Sequence, residues 1–200
     1  MKPAILILSV LIALGIAAIA VDRRSSHWLY DHVSARFWKF LDSTTHLAKA
    51  SHWLIAALLG LALAAWAGFD VMKPYALAFL LSLLAGSITL HAIKLVLGRR
   101  RPRDDFEMGL YGFIPFAFDT EYNSFPSGHA LTIMCVAAIA SCAWPAWAAV
   151  WFAAAAWLVL TRALLTAHYL SDVLVGAGIG LISVHESVIH VFPQLAPAWF

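Results

Sequence analysis

Long apolar runs alternate with short polar breaks along the whole chain. The runs cover roughly residues 3–21, 51–69, 75–97, 127–143, 146–165 and 171–191, each near the ~20 residues a helix needs to cross a bilayer. The pattern predicts an all-α polytopic membrane protein with six transmembrane helices. Local signals agree with these limits. Pro3 and Pro74 suit helix starts, Gly98 a helix stop before a basic run, and Trp144-Pro145 a sharp turn. The fourth helix is expected from Ser127 or Gly128 to Ala143, the fifth from about 146 to 160 or 165, and the sixth over 171–191. Residues 22–50 mix Trp28, Tyr30 and Trp38 with charged side chains and cannot span. Within them Val33, Phe37, Phe40 and Leu41 recur at three-to-four spacing. That spacing predicts an amphipathic helix over 31–41 lying in the interface between spans one and two. A break is expected at Asp42-Ser43-Thr44, followed by a second short helix.

Composition strengthens this picture. Of 200 residues, 62% are hydrophobic and only 12% charged, against about 45–50% and about 25% in soluble domains. A soluble helical protein of this length could not hide so much apolar surface. The length suits one domain, residues 1–200. A net charge of +2 without a basic, aromatic-interleaved stripe argues against nucleic-acid binding. Cys135 and Cys142, seven apart in one helix, are separated by about 10 Å of rise and cannot form a disulfide. Residues 4–21 resemble a signal peptide, but the run is long and further spans follow, so it is read as a retained first span. Gly15, the pair Gly60 and Ala64, and the pair Gly176 and Gly180 offer small faces for helix packing.

Six spans place both ends of the chain on one side. The loops 22–50 and 99–126 and the connection Arg162–Asp172 then share the other. Costly polar groups therefore collect at one membrane face. The 99–126 connection, with Asp104, Asp105, Glu107, Asp119, Glu121 and several aromatics, reads as an ordered but irregular loop of a binding or headgroup-anchoring kind. Lys94, Arg101 and Arg162 are candidates for an anion clamp, while Arg99, Arg100 and Arg103 read as cations meeting lipid headgroups. Ser127-Gly128-His129 opens the fourth helix, where free N–H groups and the helix dipole favour phosphate. Ser127 there is placed to cap the helix, to donate to phosphate, or both. His168 and Asp172 are four apart and share a helical face. The carboxylate could accept from one ring nitrogen and leave the other bare, or the two could form a plain structural pair. A metal is the other use of two histidines and an acid. No His-x-x-x-His or Glu-x-x-His pair accompanies them and cations flank the site, so neither metal nor cofactor is expected. His27, His32, His46, His52 and His91 read as interfacial or packing residues. His185, Glu186 and His190 fall at the remote end of the last span.

These residues carry a resemblance to the type-2 phosphatidic acid phosphatase family of membrane lipid phosphatases. Lys94 is followed by six residues and Arg101-Pro102. Pro126-Ser127-Gly128-His129 comes next, then Thr161-Arg162, His168 and Asp172 with the family spacing. Thr161 in place of the usual serine is the one departure, and the six-span layout extends the likeness over nearly the whole chain. The resemblance implies that His168 attacks phosphorus and forms a phosphohistidine. It implies that Asp172 orients that ring, and that His129 serves as general acid and then base. Lys94, Arg101, Ser127, Gly128 and Arg162 would bind the phosphoryl group, without metal or cofactor.

The implied substrate is a phosphomonoester or diphosphate on a membrane lipid, such as phosphatidylglycerophosphate, undecaprenyl diphosphate, phosphatidic acid or lipid A. A lipid phosphotransferase using the same histidine, or a non-enzymatic anion transporter, is the alternative. Arg23, Arg24, Arg36, Lys39 and Lys49 on the site side, against Lys2 and Lys73 opposite, would put the site in the cytoplasm. The resemblance instead implies a multi-pass protein of the bacterial inner membrane with its site facing the periplasm.

Overall fold

The computed structural model describes residues 2–68, 70–116 and 123–200. Helices α1 (Pro3–Ala18), α2 (Asp22–His32), α3 (Ala35–Thr45), α4 (Ala50–Ala67) and α5 (Lys73–Leu97) form the first half. Helices α6 (Pro102–Met108), α7 (Gly128–Ala143), α8 (Ala148–Leu164) and α9 (Leu170–His190) form the second. Among the described residues four segments are long and apolar enough to cross a membrane: Ala35–Ala67, Asp70–Leu97, Pro145–Leu164 and Leu170–His190. The pair α1 and α2, bent by 80°, makes a fifth if taken as one. The architecture is therefore an all-α, multi-spanning membrane type. Helix α7 is apolar but only 16 residues long, about 24 Å. It runs through the centre of the molecule, packed by α5, α8 and α9.

Three local expectations need correction. The helix expected over 31–41 is divided at Val33-Ser34. Ser34 sits in extended backbone and its hydroxyl accepts from the Phe37 N–H at 3.3 Å, so it caps α3. The break expected at 42–44 is absent. Ser43 and Thr44 turn their hydroxyls back to the carbonyls of Phe40 (2.7 Å) and Leu41 (2.9 Å) and so continue the helix. In the 99–126 connection, Pro102 starts the short helix α6 and Gly109, at φ +68, ends it. This part is thus regular rather than irregular. Asp119 and Glu121 of the same connection lie outside the described residues. The tail beyond Phe192, uninformative as sequence, packs back. Phe200 is buried and the Trp199 carbonyl accepts from the Ala4 N–H at 3.0 Å.

Backbones meet where small residues were expected to let them. A Cβ on Gly176 would lie 2.3 Å from the Ser127 carbonyl oxygen, one on Gly180 2.5 Å from that of Leu131, and one on Gly15 2.7 Å from Val175. Gly60 departs from the packing role. It faces open space and lines an apolar cavity of about 320 Å3 between α4, α5 and α7. The Gly176 contact joins α9 to the residue preceding α7, which the Ser127 N–H reinforces by donating to the Asp172 carbonyl at 2.9 Å. A methyl there has only backbone to displace. Gly176→Ala is expected to destabilise the protein by about 1–3 kcal/mol and to shorten its half-life at elevated temperature in detergent. Gly60→Ala should leave that half-life unchanged.

Candidate active site

The site is assembled from four chain segments. Gly98, at φ +44, ends α5 and turns the chain inward, so Arg99 enters the protein instead of meeting headgroups as expected. Its side chain is 0% exposed. Nη1 donates to Asp172 Oδ1 at 2.6 Å and to Ser171 Oγ at 2.7 Å, and Nη2 donates to Asp22 Oδ2 at 2.8 Å. Its guanidinium lies 4.2 Å from the Tyr169 ring centroid and 4.7 Å from that of Phe113, a stacked placement suited to arginine. Burial alone would lower the Arg99 pKa, but Asp172 and Asp22 outweigh it and hold the pKa raised. Of the other two arginines expected to meet headgroups, Arg103 is 71% exposed, whereas Arg100 is largely covered and lies 3.9 Å from Asp104.

His168 is almost fully buried, and its partner is not the one the spacing suggested. Nδ1 lies 2.9 Å from the Ser124 carbonyl oxygen and 3.7 Å from Asp172 Oδ2, beyond hydrogen-bond reach. A carbonyl only accepts, so Nδ1 carries the proton and Nε2 is left as a bare lone pair. Asp172 instead accepts from Ser124 Oγ at 2.6 Å, the Tyr169 N–H at 2.8 Å and Arg99. The carboxylate thus fixes Ser124, and Ser124 fixes the ring. Burial pushes the His168 pKa below its usual value, against Asp172, with Arg162 and Arg101 pushing the same way as burial. The ring is therefore neutral at neutral pH.

Around this ring stand the expected cations. Lys94 Nζ donates to the Asn123 carbonyl, and Arg101 Nη2 donates to Asn123 Oδ1 at 2.8 Å. Arg162 belongs to the last turn of α8, and its carbonyl accepts from the His168 N–H at 3.2 Å. Arg162 Nη1 reaches Thr45 Oγ1 at 3.4 Å, and its Nε is buried without a partner. Among the described residues none of the three pairs with a carboxylate. Ser127 precedes α7 but does not cap it. Its hydroxyl is buried and unpartnered, so of the two expected duties only donation to a ligand is open. The space above Gly128 is open. His129, half-buried with no hydrogen bond to a described residue, lines a cavity of about 260 Å3 with Gly128, Ala50, Ser87 and His91. A second cavity of about 270 Å3 joins Arg101 to Thr166 and Ala167, next to His168.

The structure thus gathers the sequence-predicted Lys94, Arg101, Ser127, Gly128, His129, Arg162, His168 and Asp172 around one region. It adds Arg99, Asp22, Ser124 and Asn123, which sequence reasoning missed. Thr161 spends its hydroxyl on the Leu158 carbonyl (2.7 Å) and Thr45 Oγ1 (3.1 Å), which is a structural use. Asp22 had one visible signal, a lone acid between an apolar run and two arginines. Ser124 and Asn123 had none. His27 also departs from a passive role, since it lies 2.9 Å from buried Asp105, which Arg23 holds in a fork. Among the described residues no group of three or more His, Cys, Asp and Glu side chains is arranged to hold a metal ion.

The family model for the PAP2 superfamily matches residues 75–194. The chain belongs to the PAP2 superfamily. The matched stretch contains every site residue anticipated from the sequence, and Asp22 alone of the buried charge cluster lies before it. Over 88 residues the chain is 36% identical to the lipid A 1-phosphatases of Rhizobium johnstonii and Rhizobium etli. These 88 residues are 44% of this chain and 36% and 38% of those proteins, so the match spans little more than a third of its relatives' length. The fold is similar to that of LpxE from Aquifex aeolicus, with a TM-score of 0.65 at 18% identity over 85% of this chain and 96% of the other. It is also similar to a transmembrane PAP2-type phosphatidylglycerolphosphate phosphatase from Bacillus subtilis, with a TM-score of 0.63 at 20% identity over 93% and 94%. These two structures support the architecture over 85% and 93% of this chain.

Proposed function

We propose that the chain is a metal-independent lipid phosphate phosphatase of the bacterial inner membrane. The reading takes residues 1–200 as one unit with six spans, α7 included, and the site facing the periplasm. The observation that carries it is the neutral His168 ring, its Nδ1–H held by the Ser124 carbonyl, among three cations that pair with no carboxylate among the described residues. Nε2 attacks phosphorus as the bond to the lipid oxygen breaks, and His129 gives that oxygen its proton. Water then attacks the phosphohistidine, His129 takes the water's proton, and inorganic phosphate leaves with His168 restored. Lys94, Arg101, Arg162, Ser127 Oγ and the N–H groups at the start of α7 hold the phosphoryl oxygens as charge shifts. The cations supply the charge a metal would. The likeness to the Rhizobium proteins makes the 1-phosphate of lipid A a leading candidate beside phosphatidic acid, phosphatidylglycerophosphate and undecaprenyl diphosphate.

The test is a panel of these four lipids with purified protein in detergent and excess chelator. Free phosphate should appear from at least one lipid, and chelator should leave the rate unchanged. A phosphorylated acceptor in place of free phosphate would make the protein a transferase. A rate abolished by chelator and restored by a divalent cation would overturn the metal-independent reading.

A further inference from the structure

The residue that distinguishes this site from a simple His–Asp pair is Arg99. We infer that Arg99 and Asp22 form a positioning and charge-setting pair behind Asp172, which keeps the His168 ring neutral before attack and balances its charge afterwards. The inference rests on the phosphatase reading for its catalytic consequence, but its electrostatic content concerns the ring alone.

The cluster is closed to solvent, with Arg99 Nε buried and unpartnered among the described residues. Asp172, Arg99 and Asp22 have no exposed side-chain surface. Arg99 uses one nitrogen for Asp172 and Ser171 and the other for Asp22. Asp22 returns two contacts to the start of α9, accepting from the Ser171 N–H at 3.1 Å and from Ser171 Oγ. Asp22 is the first residue of α2, immediately beyond the bend that turns the chain 80° from α1. That bend delivers a carboxylate to the back of the site. Ser124 completes the relay by donating from Oγ to Asp172 while its carbonyl holds the ring.

The charges explain the arrangement. Asp172 alone, 3.7 Å from the ring, would draw a proton onto His168 and block its lone pair. Arg99, bonded directly to Asp172, weakens that pull. Asp22 in turn shares Arg99, so the buried group of two carboxylates and one guanidinium keeps a charge of −1. When Nε2 bonds phosphorus the ring becomes cationic, and that residual charge offsets it without any side chain moving. Among the described residues the other charged and titratable groups around the ring are Lys94 on α5, whose charge acts on Asp172, Arg162 at the end of α8, Arg101 before α6, and His129 on α7. None of these touches Asp172.

The experiment titrates the ring directly. Protein labelled with 15N-histidine is titrated in detergent by NMR, with His168 assigned by its loss in His168→Ala. Arg99→Gln should raise the His168 pKa by about one unit. Asp22→Asn should lower it, because Arg99 is then shared with one carboxylate only. The acid limb of kcat/KM should move with the ring in each variant, relative to wild type on the same lipid. Arg99→Lys keeps the charge and loses the fork, so it should hold the pKa near wild type while kcat falls about tenfold. Removal of the exposed Arg24 should change neither. If Arg99→Gln is not recovered folded, Asp22→Asn and Arg99→Lys carry the same test. Shifts in one direction for both charge-removing variants, or no shift in either, overturn the inference. A wild type that releases no phosphate but shows the opposed ring shifts overturns the phosphatase reading and leaves the charge-setting role standing.

Discussion

His168→Ala is expected to cut phosphate release by about 10³-fold or more, with little change in KM. In the proposed mechanism the substitution removes the nucleophile, and the covalent route through His168 is lost with it. Lys94, Arg101, Arg162 and Ser127 remain, so substrate still binds. No backbone bond is lost: the His168 N–H keeps the Arg162 carbonyl, and Asp172 keeps Ser124, Tyr169 and Arg99. The loss should therefore sit in kcat. The check is turnover on the best lipid of the panel, together with protein exposed to a radiolabelled lipid phosphate and quenched in alkaline detergent. Label bound to wild type should be alkali-stable and acid-labile, and absent from the variant. A variant that retains more than a tenth of wild-type kcat would remove His168 from the reaction.

Arg162→Ala is expected to cost about 10²–10³-fold in kcat/KM, the scale for losing a donor aimed at developing oxyanion charge. Its Nε is buried without a partner, and its one bond among the described residues is a long one, to Thr45. Burying a cation with so little compensation is costly. In the proposed mechanism that cost is recovered as two phosphoryl oxygens meet the guanidinium fork. Lysine should recover only part of the rate, because a point charge cannot make the forked contact. The backbone at 162 keeps its bonds to residues 167 and 168 in either variant, which separates the effect from misfolding. Steady-state kinetics of both variants, with melting temperature measured alongside, give the answer. An Arg162→Ala variant within fivefold of wild type would place the phosphate elsewhere.

Much of the fold was legible because a bilayer imposes a strong and local rule. A helix must be apolar for long enough, and its ends are marked by Pro, Gly and charge. The starts of α1 and α7 and the ends of α5 and α7 fall where the sequence placed them. Legibility was poorer over residues 22–50, where the apolar pattern is weak and hydroxyl side chains decide the breaks. Ser34 caps while Ser43 and Thr44 bond backwards, and the residue types alone do not distinguish these uses. The close approach at Gly176 was readable as a packing site, but not that the partner would be the Ser127 backbone.

The site divides along the same line. The apolar runs and three short polar motifs, each a local feature, determined by themselves that this is a helical membrane protein with histidine, serine and cationic groups at one region. Tertiary structure alone decided which cation is buried and which have no carboxylate among the described residues. Arg99, Arg101 and Arg103 are close together in sequence yet end in a charge cluster, an Asn123 contact and solvent. It also decided that Ser124, not Asp172, holds the His168 ring. The physical reason is range. Helix propensity and hydropathy act over a few residues. The bonds that set charge at the site join positions 73, 77 and 149 apart, and they exist only once α2, α5 and α9 have packed.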